Sequence, residues 1–184
     1  MNKVIILIFL VILLTGCGNS KELENRDYVM AIGIDEKNGY DVSVAVAKLS
    51  YGSDNKKQEE TIYKGSGKTI NEAISVINNK TKGNLYLGHN KVIVLSENYK
   101  DYDSLINYIS DNIEISRDTV IMKAKNPEEI LKAQNNEDNA SDYIYDYYND
   151  INKVDLDKFM DYYNKKESIN LPVAGIEDKN IIIK

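Results

Sequence analysis

The residues with the clearest chemical meaning stand near the start of the chain. Leu14-Thr15-Gly16-Cys17 sets a thiol directly behind two small residues, and Cys17 is the single cysteine of the sequence. No disulfide therefore competes for its sulfur. Val4 to Leu14, just before, is an unbroken apolar run of eleven residues. As a helix it reaches about 16 Å, whereas a bilayer core takes about 20 apolar residues. Behind the short, positive Met1-Asn2-Lys3, this is the length of the apolar segment of a secretory leader.

Leu14 to Cys17 resembles the lipobox of bacterial lipoproteins. The resemblance implies that residues 1–16 are a lipoprotein signal peptide, and that the Cys17 sulfur takes a diacylglyceryl group and becomes the new N-terminus. Two acyl chains anchor stably where one is marginal. Cleavage leaves 168 of 184 residues, with 22 Lys+Arg against 29 Asp+Glu and a formal charge of −7. Attraction to anionic lipid thus cannot be what holds the whole chain, and nucleic acid is disfavoured, and not expected, as a partner on the same ground.

Other residues with chemical potential do not assemble into a constellation. Gly65-Ser66-Gly67-Lys68-Thr69 has the tail of a phosphate-cradling loop, but the G-x-x-x-x-G-K-[ST] spacing needs glycine where Ile62 stands. Thr69 with Glu72 also reads as a helix capping box. His89 is the single histidine. A metal site recruits several His or Cys, and no nucleophile elbow accompanies His89 for a Ser-His-Asp arrangement. Asp35, Glu114 and Asp118 are a chance-level carboxylate set among 29 acids. Arg26 and Arg117, the two arginines, read as sheet-edge residues. No catalytic, metal or cofactor site is expected.

The elements that would carry these residues are legible in the pattern. Tyr28–Asp35 and Tyr40–Leu49 read as strands joined through Asn38-Gly39, a dipeptide suited to a hairpin. Ser50–Glu59 reads as a loop and Thr61–Lys64 as a third strand. Ile70, Ala73, Ile74 and Ile77 fall at helical spacing, with Gly83 placed to end the helix. Leu85–Leu95 holds a strand strongest at Val92-Ile93-Val94-Leu95. Tyr102, Leu105, Ile106 and Ile109 predict a helix, Thr119–Ala124 a strand. Asn126-Pro127-Glu128-Glu129 opens another helix with a cap, a first-turn proline and acids on the positive dipole end. Tyr143, Tyr145, Tyr147 and Tyr148 among acids suggest either an interaction surface or a half-buried amphipathic helix. Leu156, Phe159 and Met160 sit on a further helix, and Ile181-Ile182-Ile183 is strand-like with no downstream partner. Interleaved strands and helices predict an α+β fold, a mixed or antiparallel sheet with helices on one face. The expected organisation is a signal peptide at 1–16, a tether at 17–27, an α+β N-terminal domain at 28–134, and at 135–184 a Tyr-rich helical appendage with the start of a truncated second domain.

Several segments, in order, resemble the Ger(x)C lipoproteins, the C subunits of spore nutrient germinant receptors. They are Leu14-Thr15-Gly16-Cys17, Lys21-Glu22-Leu23, Ile32-Gly33-Ile34-Asp35, Gly65 to Ala73, Leu85 to Ile93, Ile115 to Thr119 and Pro127 to Leu131. The run Leu85-Tyr86-Leu87-Gly88-His89-Asn90-Lys91 is the most specific. The resemblance implies a non-enzymatic subunit on the outer face of the spore inner membrane, held through Cys17 and assembled with A- and B-type membrane subunits. A docking role in spore germination is the expectation. The alternatives are an extracytoplasmic solute-binding lipoprotein and a truncated, nonfunctional remnant.

Overall fold

The structure, a computed structural model, describes residues 26–47, 59–135, 138–149 and 153–184. The expected signal peptide, the lipidation residue Cys17, tether residues 17–25 and loop residues 50–58 lie outside the described residues. The described strands are β1 (Arg26–Lys37), β2 (Gly39–Ala47), β3 (Glu60–Gly67), β4 (Asn84–Tyr86), β5 (Val92–Ser96), β6 (Val120–Ala124), β7 (Gln134–Asn135), β8 (Asp138–Asn139), β9 (Val173–Glu177) and β10 (Asn180–Ile183). The helices are α1 (Ile70–Asn78), α2 (Tyr102–Asp111), α3 (Pro127–Lys132), α4 (Ala140–Asn149) and α5 (Leu156–Lys165).

One sheet runs β10-β9-β6-β5-β1-β2-β3, with β4 pairing the start of β1. β1, β2 and β3 pair antiparallel, β1, β5, β6 and β9 parallel, and β10 returns antiparallel on β9. Central parallel strands are buried from both sides and tolerate continuous apolar runs, which is how Val92-Ile93-Val94-Leu95 is buried in full. Alternate residues feed two cores. Ile32, Ile34, Ile93, Leu95 and Ile121 meet α1, α2 and α5 through Ile77, Leu105 and Phe159. Ala31, Ala45, Val92, Val94 and Met122 meet α3 and α4 through Ile130, Leu131 and Ile144.

The α+β class and the mixed sheet agree with the pattern. The helices differ from the one-face expectation, because α3 and α4 cover the second face, where Ala31 and Ala45 leave room for them. The segment expected as an appendage supplies α5, β9 and β10 to this same sheet and core, and Ile181-Ile182-Ile183 finds its partner upstream, at Gly175 to Ile176 and Ala174. α1 ends at Asn78 with Asn79 as cap, and the Gly83 N–H instead donates to Asp27 Oδ2 at 2.7 Å.

Candidate functional site

The parallel and antiparallel pairings bring the family-like segments to two opposite ends of the sheet. At the end of the β1–β2 hairpin, Gly33, Asp35, Lys37, Asp41, Lys64 and Glu128 help line an open groove of about 690 Å³. Its charges are cross-tied. Lys37 Nζ lies 2.9 Å from Asp35 and 3.4 Å from Asp41, and Lys64 Nζ lies 3.1 Å from Glu128. Ser66 Oγ donates to Asp41 at 2.6 Å, and that bond is the first cause holding the Asp41 carboxyl below its ordinary range. Lys132, one turn on from Glu128, does the same for the Glu128 carboxyl. Asp101 caps α2 and accepts from the Tyr40 hydroxyl at 2.5 Å. That hydrogen bond leads the causes that lower the Asp101 carboxyl.

The phosphate-loop fragment borders this groove for a packing reason. A Cβ on Gly65 would meet the Ala73 carbonyl at 2.3 Å, and one on Gly67 would meet the Ala73 nitrogen at 2.6 Å. The glycines let α1 lie directly on β3. Thr69 Oγ1 accepts from Glu72 N at 3.1 Å, and Glu72 accepts from Lys68 N at 2.8 Å, so the polar groups of this turn serve the helix start. Ile62 packs toward α3 and α4.

At the other end, the strand expected over Leu85–Leu95 is interrupted. β4 pairs Arg26 to Tyr28, β5 pairs Ala31 to Ile34, and Leu87 to Lys91 loop out between them. The Arg26 guanidinium lies 4.7 Å over the Tyr86 ring. Tyr86 stands edge-on to Tyr28 at 5.8 Å, and the exposed His89 lies 5.1 Å from Tyr28 and 5.7 Å from Tyr86. A Cβ on Gly88 would meet the Tyr86 hydroxyl at 2.4 Å, so glycine is needed for this cluster to close. Asn90 is buried, its carbonyl accepts from Thr119 Oγ1 at 2.8 Å, and both polar atoms of its carboxamide are without a partner.

Of the three carboxylates weighed as a chance-level set, Asp35 lies at the groove while Glu114 and Asp118 belong to the opposite end. Glu114 Oε1 accepts from Leu87 N at 3.1 Å and Asp118 Oδ2 from Tyr145 Oη at 2.7 Å, so the three carboxylates do not form a set. Arg117 reaches Met160 Sδ. Among the described residues, no group of three or more His, Cys, Asp or Glu is placed to hold a metal. Tyr143 and Tyr145 pack on the α3/α4 core and Tyr143 stacks on Tyr147 at 5.7 Å, which makes α4 the half-buried amphipathic helix. The Arg26/Tyr28/Tyr86/His89 cluster was not read from sequence, since its members meet only through the parallel β1–β4 pairing. Gly88 beside His89 was the one local signal.

A sheet with both faces covered, bounded by a charged groove and an aromatic cluster, defines a surface-presenting module. The chain belongs to the family described as spore germination protein N-terminal domain, which matches residues 19–176. It is similar to spore germination protein B3 of Bacillus subtilis (strain 168), with 28% identity over 131 residues, 67% of this chain and 35% of that protein. It is also similar to spore germination protein KC of the same organism, with 27% identity over 124 residues, 62% of this chain and 30% of that protein. The chain thus spans about a third of the length of these curated relatives. No solved structure matches it.

Proposed function

We propose that this chain is the lipid-anchored, non-enzymatic docking component of a spore nutrient germinant receptor. The family match over residues 19–176 carries the reading. It starts two residues beyond Cys17, so the module follows the lipobox directly. Cys17 takes the diacylglyceryl group and holds the module on the outer face of the spore inner membrane, where it meets A- and B-type membrane subunits. The specific motif residues support this reading through what they do: Gly65, Gly67 and Gly88 permit close packing, and His89 meets Tyr28 at a tilt and Tyr86 edge-on. The test is Cys17→Ala in a spore-forming host. Expected is loss of the protein from the spore membrane fraction and loss of nutrient germination, and unchanged levels and germination would refute the reading.

The groove favours a second reading, solute capture, because about 690 Å³ falls in the range of small-molecule sites. Its ion-paired lining is unlike the mostly apolar lining of such sites. Thermal unfolding of the purified protein against amino acids and sugars separates the two, since capture raises the midpoint with ligand concentration.

A further inference from the structure

The N-terminal end of β1 gathers features that the docking reading leaves unused. Ile113, in the turn after α2, is 94% exposed, whereas the other exposed large apolar side chains among the described residues stop at 42%. Isolated apolar side chains on a surface are ordinary, so the position of Ile113 matters more than its exposure. The Glu114–Leu87 bond ties its turn to the loop that carries His89. The adjoining cluster of Tyr28, Tyr86 and Arg26 combines rings with polar tips and a cation, the combination that settles at the level of lipid headgroups.

Arg26 and Lys82 form no ion pair among the described residues. The neighbouring acids keep their charge, Asp27 and Glu114 each accepting from a backbone N–H and Asp118 from Tyr145. Asp111, Glu114 and Asp118 are exposed acids beside the exposed Arg117.

Nine residue steps separate Cys17 from Arg26, at most about 30 Å of chain. A lipid on Cys17 makes this end the part of the described fold nearest the anchor along the chain, within that distance of the headgroup layer. Contact with the bilayer is then intramolecular, so a patch too weak to bind a membrane from solution is occupied.

From these observations we infer that the β1 N-terminal end lies on the bilayer, with Ile113 seated in the headgroup layer and Arg26 and Lys82 facing lipid phosphates. The inference rests on the lipid-anchored reading of Cys17. It sets the groove at the opposite end facing away from the membrane.

The test uses the full, acylated protein in vesicles of phosphatidylglycerol and phosphatidylethanolamine carrying nitroxide-labelled lipid. Acylation blocks the one native thiol, so Asn84→Cys and Asn38→Cys each accept a single fluorophore at opposite ends. Both side chains are exposed. Expected is strong quenching at position 84 and little at position 38, with quenching at 84 reduced several-fold by adding Ile113→Asp. Equal quenching at both positions, stronger quenching at 38, or indifference to Ile113→Asp overturns the orientation. Failure of the protein to float with the vesicles sinks the anchored reading itself, and the orientation with it.

Discussion

The two ends of the sheet are built to different rules. At the hairpin end polar groups are answered locally: Lys37 by Asp35 and Asp41, Lys64 by Glu128, Asp101 by Tyr40 and Ser104. At the end where β1 begins, Lys91 meets Asp142 at 2.5 Å and Asp118 accepts from Tyr145, yet Asn90 Nδ2, Asn90 Oδ1 and Tyr108 Oη are buried without partners. Arg26 there rests on a ring instead of a carboxylate. Buried polar groups are nearly always satisfied in native proteins, and local rules are broken chiefly where something other than stability is under constraint. The hairpin end therefore reads as scaffold and the β1 end as the part shaped by its surroundings.

Substitutions at the two ends should move stability in opposite directions. The largest effect is expected for Gly65→Ala, which drives a methyl into the Ala73 carbonyl and should cost about 1–3 kcal/mol in urea unfolding, as overpacking does. A neutral result would show that α1 has room to move away from β3. Asn90→Leu removes two unanswered polar atoms and sets methyl groups at the same branch positions. It should leave stability unchanged or raise it by about 1 kcal/mol, and a clear loss would mean that the carboxamide is paired in solution.

Smaller effects test the polar ties of the hairpin end. The folded Asp101 carboxyl lies below its ordinary value, so its contribution is present above about pH 3.9 and is lost as pH falls through the folded pKa. Asp101→Asn keeps a capping side chain and should cost under about 1 kcal/mol at pH 7. Urea midpoints of the variant and the parent should converge at acid pH, and parallel curves would assign the pH dependence elsewhere. Lys64→Ala removes a largely exposed pair and should cost about 0.5 kcal/mol or less, a difference that salt should erase.

Local chemistry was legible before the fold. The Thr69/Glu72 box, the Asn126 and Pro127 helix start and the Asn38-Gly39 hairpin each depend on residues a few positions apart, and each is present. Features set by distant pairing were not legible. Leu85 to Leu95 reads as one apolar stretch, and its break at Leu87–Lys91 follows from β1 accepting two partners along one edge. β9 carries Gly175 and no clean alternation, so its place beside β6 comes from the parallel pairing of Lys123 and Ala124 with Val173 and Ala174. The division of helices between two faces follows from strands that are apolar on both sides, a pattern that does not say which helix covers which face.

The proposed docking role is tested most directly by what the chain brings with it from spore membranes. Affinity purification of the tagged protein from detergent-solubilised spore membranes should recover A- and B-type membrane subunits in fixed proportion, and Cys17→Ala should abolish that recovery. Purification of the wild-type protein alone, under conditions that keep the other subunits soluble and folded, would contradict the account.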